Sequence, residues 1–179
     1  KKNQEGNGSW KNNRNAMTAL AILCFLAHGE QPGSSEEFGD NVQRGIEFLL
    51  ASQPKSGQWP GNYEHYIVTY ALCEAYGLTM NPNVKAAVER AVQLIIEGQH
   101  ETGGWDYALK LGDRDDTSVM GWAAQALKAA KMAGFYSDPA ALDKASKLAV
   151  KGFQKNAHPE GGFGYISPAR GGLSGVGAL

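Results

Sequence analysis

The sequence predicts an all-α chain of helix hairpins stacked as an α/α toroid or solenoid, and three observations carry that prediction. A phrase of Gln, three residues, Gly, any residue and Trp recurs at Gln4, Gly8 and Trp10, at Gln53, Gly57 and Trp59, and at Gln99, Gly103 and Trp105, with a looser copy at Gln154, Gly161 and Phe163. The glutamines lie 49, 46 and 55 residues apart, a period too long for one helix and suited to one helix pair per repeat. Between the phrases, runs that are apolar nearly all round alternate with runs that are apolar on one side, as buried inner helices and water-facing outer helices require.

The elements follow in order. Inner helices are expected over residues 16–27, 66–75 and 117–132. Gly29, Gly77 and Gly134 come after them and suit the left-handed position that ends a helix. Outer helices open at Asp40, at Asn81 followed by Pro82, and at Asp138 followed by Pro139. There an Asx side chain accepts a free backbone N–H, and proline at the first position gives up no needed donor. In residues 83–98, Val84, Ala87, Val88, Ala91, Val92 and Ile95 fall at helical spacing and leave Lys85, Glu89 and Gln93 on another face.

Composition narrows the function classes. The chain has 179 residues, with 17 Lys plus Arg against 18 Asp plus Glu. That balance supplies no clustered positive field for nucleic acid or an acidic membrane. With 42% apolar residues it can bury a core of ordinary size, read as one domain over residues 1–179. No apolar stretch reaches the roughly 18 residues of a membrane span, and Lys1, Lys2 and Asn3 lead into no signal-peptide core. Cys24 and Cys73 sit inside apolar runs without disulfide or metal spacing and read as buried thiols. The pairs Gly103/Gly104, Gly161/Gly162 and Gly171/Gly172 lack the strand and lysine of a phosphate loop and read as tight turns. No metal or cofactor is expected, and the compartment is left unassigned.

Arg44, Gly45, Phe48, Leu49, Gln53, Gly57 and Trp59, then Arg90, Ala91, Leu94, Ile95, Gln99, Gly103 and Trp105, resemble the QW repeat of squalene and terpene cyclases. The resemblance implies a structural clamp, in which the Gln side chain caps a helix end and the Trp stacks over it, for Gln4 with Trp10, Gln53 with Trp59 and Gln99 with Trp105. The fourth copy, Gln154 with Phe163, departs from the pattern by its phenyl ring and a loop of six residues in place of three. The resemblance further implies about half of a closed ring. The chain is therefore expected to be a segment of a longer protein, open to self-association through uncapped ends.

Chemistry is expected where the repeats differ. From the aromatic of each phrase to the Ala-Leu or Ala-Ile pair of the next helix the lengths are 11, 12, 21 and 15 residues. The third repeat thus carries an insertion, and unequal insertions on one face of an array are where binding collects. The insertion ends in Asp113, Arg114, Asp115, Asp116, Thr117 and Ser118, which resembles the Asp-x-Asp-Asp-Thr motif of class II terpene cyclases. That resemblance implies Asp115 as a proton donor to an alkene, tuned by Asp113 and Asp116, with Tyr107 or Trp122 facing cationic intermediates. The residues themselves also fit a helix start, because Asp116 or Thr117 stands where an N-cap belongs and acids are favoured at that helix end. Arg114 then pairs with its neighbours. Asp116, Thr117, Ser118, Val119, Gly121 and Trp122 are as similar to bacterial prenyltransferase/squalene-oxidase repeat proteins.

Of the histidines, His28, His65, His100 and His158 are candidate partners for the acid or solvated loop residues. Neither cysteine forms the Asp-x-Cys pair of the zinc-binding protein prenyltransferases. The string His28, Gly29, Glu30, Gln31 is similar to a thioester motif without its thiol. Two function classes stand. One is a non-catalytic repeat module that takes an isoprenoid-like or other hydrophobic small molecule, or a protein partner, on its concave face through Tyr107, Arg114 and Trp122. The other is part of a class II cyclase using Asp115. A cyclase acid is expected buried beside an apolar, aromatic-lined pocket, a capping Asp bonded to its own helix and facing water.

Overall fold

A computed structural model describes residues 2–169. Within them lie six helices and no strand: α1 (Arg14–Ala27), α2 (Gly39–Ala51), α3 (Glu64–Thr79), α4 (Pro82–Glu97), α5 (Thr117–Ala133) and α6 (Pro139–Asn156). The fold is all-α, consistent with an α/α toroid. Helices α1, α3 and α5 pack side by side as an inner layer, α2, α4 and α6 form the outer layer, and each outer helix is paired with the inner helix before it. The expected fourth inner helix and the Gly171/Gly172 turn lie outside the described residues.

The alternation of apolar patterns becomes burial. Helix α3, between two inner neighbours, buries residues on all sides, from His65 and Tyr66 to Tyr76. In α4 the buried set is Val84, Ala87, Val88, Ala91, Val92 and Ile95, the residues whose spacing predicts it. Asn81 and Asp138 cap α4 and α6 through side-chain bonds to the Asn83 and Ala141 N–H groups, with proline next in each case.

Three local expectations are corrected. Helix α2 starts at Gly39, with Phe38 at the cap position and Asp40 inside the first turn. Gly39 lies so close to the Gln31 and Ser34 backbone that a Cβ would sit 2.9 Å from each, so the packing of residues 31–35 decides where the helix begins. Gly77 is inside α3, which runs on to Thr79 and ends at Met80 with φ +51°. The reversal is set by Asn81 and Pro82, since a residue before proline is pushed out of helical geometry. Cys73 is buried as expected, but Cys24 is exposed. Among the described residues α1 has one inner neighbour rather than two, and its far side, with Cys24 and Met17, faces out.

Candidate functional site

Each turn between an outer helix and the next inner helix is built the same way. The Nε2 of Gln4, Gln53 and Gln99 donates to the carbonyl four residues on (Gly8, Gly57, Gly103) and to a carbonyl in the following outer helix (Asn41, Ala87, Ala145). Arg44 and Arg90 donate to the Oε1 of Gln4 and Gln53 at 3.1 and 2.5 Å. The indole N–H of Trp59 reaches the Leu49 carbonyl and that of Trp105 the Ile95 carbonyl, both near the C-terminal end of an outer helix, where carbonyls lack intrahelical partners. The division of labour differs from the one the resemblance implies, because the indole caps the helix end and the glutamine bridges to the next hairpin. Trp59 and Trp105 are fully buried. Trp10, with no outer helix before it among the described residues, is half-buried.

The fourth turn has the same geometry in a different register. A β-bridge joins Ala157 to Phe163 as one joins Gln4 to Trp10. The His158 N–H donates to the Gly162 carbonyl and the Gly161 N–H to the His158 carbonyl, as His100, Gly104 and Gly103 do in the third turn. Ala157 therefore occupies the glutamine position, with Gly161 four and Phe163 six residues on. Gln154 lies exposed in the last turn of α6, so this turn has a loop of normal length and no glutamine bridge.

The insertion after Trp105 gathers two groups of side chains. Asp115 is fully buried. Its Oδ1 accepts from His100 Nδ1 at 2.9 Å and Thr102 Oγ1 at 2.8 Å, and its Oδ2 accepts from Lys155 Nζ at 3.0 Å. Lys155 also reaches the Asp113 carbonyl, and Asn156 donates to the Asp115 carbonyl and to Thr117 Oγ1. Burial pushes the Asp115 carboxyl upward, but the bonds from Lys155, His100 and Thr102 outweigh it and hold the group below the ordinary carboxylate range. The corner is sealed by backbone: a Cβ on Gly104 would come to 2.4 Å from the Asp115 carboxyl carbon.

Asp116 faces the second group. Its Oδ1 accepts from the Ser118 and Val119 N–H groups, making it the N-cap of α5, while buried Oδ2 has no hydrogen bond and lies 3.5 Å from Arg114. Arg114 donates to Asp106 Oδ1 at 2.5 Å and to the Tyr165 hydroxyl at 2.8 Å, and lies over the Tyr107 and Tyr165 rings. The Tyr107 hydroxyl contacts those of Tyr165 and Tyr63, and Tyr63 contacts Ser118 Oγ. These bonds, from Tyr165 first and then Tyr63, push the Tyr107 phenol well up.

Of the sequence candidates, Asp115 and Asp116 are thus buried back to back in separate networks, and Arg114 and Tyr107 join the second. The Asp113 side chain is exposed and belongs to neither, and Trp122 is half-buried against the core one turn beyond Ser118. Sequence reasoning passes over Lys155, Thr102, Asp106, Tyr63 and Tyr165. Tyr165 was open to detection, because it follows Phe163 by two residues as Tyr107 follows Trp105. Grooves of about 540 Å³ along α6 and about 500 Å³ along α2 lie on the outer layer, and neither includes Asp115. No group of three or more His, Cys, Asp or Glu among the described residues is placed to hold a metal. No described helix is long and apolar enough to cross a membrane.

No protein-family model matches the chain. Its fold is similar to that of an ent-copalyl diphosphate synthase from Streptomyces platensis, with a TM-score of 0.60 and 16% identity over 83% of this chain. The match spans 29% of that enzyme's length. The chain therefore has a terpene-cyclase-like helical fold.

Proposed function

We propose that this module binds an isoprenoid-like small molecule or a protein segment and has no self-contained catalysis. Its binding site is the group at the N-terminal ends of α3 and α5, built from Tyr63, Tyr107, Arg114, Asp116 and Tyr165. The observation that carries the reading is the state of Asp115. Protonating an alkene needs a carboxylic acid with a proton to give, facing an apolar space from which water is excluded. Asp115 is instead a carboxylate that accepts three hydrogen bonds, one from a lysine, in a closed polar corner. The repeated Gln, Gly and Trp geometry supports reading the turns as QW-type repeats, in which the loudest sequence signal serves architecture.

Burial of Asp115 and its bond to His100 favour the second reading, a cyclase acid, so the test addresses both. The full chain is incubated with squalene and with geranylgeranyl diphosphate, and products are read by mass spectrometry beside Asp115→Asn. Absence of product, together with isoprenoid-dependent quenching of tryptophan fluorescence that Tyr107→Ala weakens, supports the module. Cyclised product that disappears in Asp115→Asn overturns it.

A further inference from the structure

The bridging glutamines give the outer helices a common register. Gln4, Gln53 and Gln99 reach the carbonyls of Asn41, Ala87 and Ala145, so residues at equal distances from those three stand at equivalent places on α2, α4 and α6. One residue before, two after and six after, the side chains are exposed or half-buried. They read Asp40, Gln43 and Glu47 in α2, Ala86, Glu89 and Gln93 in α4, and Lys144, Lys147 and Lys151 in α6. In α4 the lone acid, Glu89, pairs with Lys85. The charge at one set of positions thus runs from acidic through neutral to basic across the outer layer. Three residues after the carbonyl stand Arg44 and Arg90, whose guanidinium groups are engaged by Gln4 and Gln53, and Leu148 in α6. The α6 lysines therefore take no part in the clamp.

The two outer grooves coincide with the ends of this gradient. The groove along α2 includes Glu36, Asp40, Gln43, Arg44 and Glu47, and the groove along α6 is lined by Ala140, Asp143, Lys144, Lys147, Leu148 and Lys151. Asp143 is taken up by Lys131 at 2.6 Å, and Glu47 accepts a bond from Gln43. Glu36, Asp40, Lys144, Lys147 and Lys151 form no ion pair among the described residues. Each charged row covers two helical turns, about 10 Å of rise, so the rows match in length as well as in sign. The lysine stems, with Ala140 and Leu148, add an apolar floor between the charges. Helix α4 lies between α2 and α6, so one copy cannot join its own grooves. A formal net charge of -1 leaves little overall repulsion between copies.

We propose that the lysine groove of α6 is a docking surface for a second copy of this chain, which seats the acidic groove of its α2 there. The two surfaces differ, so the contact is head-to-tail, and each copy that uses one groove still offers the other. Its strength comes from exposed charges and is therefore modest and sensitive to salt. The contact does not depend on what the Tyr107 and Arg114 group binds.

The test is sedimentation equilibrium of the full chain over a concentration series, in about 20 mM and about 500 mM sodium chloride. The expected result is reversible association whose constant falls by about tenfold or more at the higher salt. Asp40→Lys with Glu47→Lys, and separately Lys144→Glu with Lys151→Glu, should each be monomeric with unchanged helical circular dichroism, since all four side chains are exposed. An equimolar mixture of the two variants should associate again, because the lysine groove of the first meets the acidic groove of the second and the two reversed grooves also match. A wild-type chain that stays monomeric at about 1 mM in low salt overturns the proposal. Association that survives Lys144→Glu with Lys151→Glu also overturns it and moves the contact elsewhere on the molecule. Binding to anionic lipid vesicles by a chain that does not self-associate would give the groove to a membrane surface instead. The wild-type salt series stands without the variants.

Discussion

The second and third turns share one frame and treat their buried histidines in opposite ways. Where the second turn enters α3, His65 in the first turn of that helix packs between Trp59 and Tyr66, donates from Nε2 to the Ala91 carbonyl, and leaves Nδ1 without a hydrogen-bond partner. Burial, offset in part by that carbonyl, lowers its pKa to about 4. In the third turn His100 has an acceptor at each nitrogen. The second turn runs straight into α3, so its histidine is a packing residue. The third must also seat an acidic insertion, and the charges that come with it recruit His100 and Lys155. The contrast teaches that the repeated bonds build the array, whereas the inserted residues bring in chemistry that needs partners of its own.

The largest effects should fall on what the two turns share. Trp59→Ala and Trp105→Ala are each expected to cost about 3–5 kcal/mol, since each empties a buried indole site; Trp105→Ala also orphans the Ile95 carbonyl, whereas the Leu49 carbonyl keeps its bond from Ser52 Oγ. Chemical denaturation measures this, and a loss confined to one turn breaks the comparison.

Acid titration tests the packing of His65. Because the folded pKa of His65 lies below the unfolded value of about 6.5, the unfolded chain takes up a proton first as pH falls from 6.5 to about 4. The stability it contributes is present above pH 6.5 and lost across that window, by roughly 3 kcal/mol in all. His65→Gln should flatten this part of the pH profile, and a slope that persists unchanged would refute the assignment.

Lys155→Met should cost about 2–4 kcal/mol, because it leaves a buried carboxylate short of its cation. Asp115 has a depressed folded pKa. Its share of stability is therefore present above about pH 4 and lost as pH falls through the folded value. In Lys155→Met that loss should begin at higher pH, and the second turn offers no equivalent.

Gln53→Ala should cost about 1–2 kcal/mol through its two carbonyl bonds. Gln154→Ala, at an exposed helix position, should stay within about 0.5 kcal/mol. Equal losses at the two would argue against the register read from Ala157.

Much of the fold was legible because helical spacing, Asx-Pro starts and the Gln, Gly, Trp phrase are all local signals. Errors arose where a letter was matched ahead of its spacing. Gln154 offered the right residue, but Ala157 has the right distances to Gly161 and Phe163. The Asp113 to Asp116 string located the site without its chemistry. Asp115 is defined by Lys155, which stands 40 residues on, and by the choice of His100 among four histidines, and neither is encoded near the motif. Exposure of Cys24 was equally out of reach, since an all-round apolar run does not say how many neighbours will cover it.

The turn glycines carry a final consequence. At Gly8 and Gly103 an added Cβ would fall 2.2 and 2.1 Å from the carbonyl oxygens of Arg44 and Leu148 in the next outer helix, far inside any permitted contact. At these two joints one hairpin meets the next main chain against main chain, whereas at the second joint Gly57 meets the Arg90 and Leu94 side chains at 3.4 Å. The spacing at the first and third joints is set by backbone contact, so the step between those hairpins is insulated from drift in the side chains of the core. Surface side chains around those two joints can diversify without changing the step.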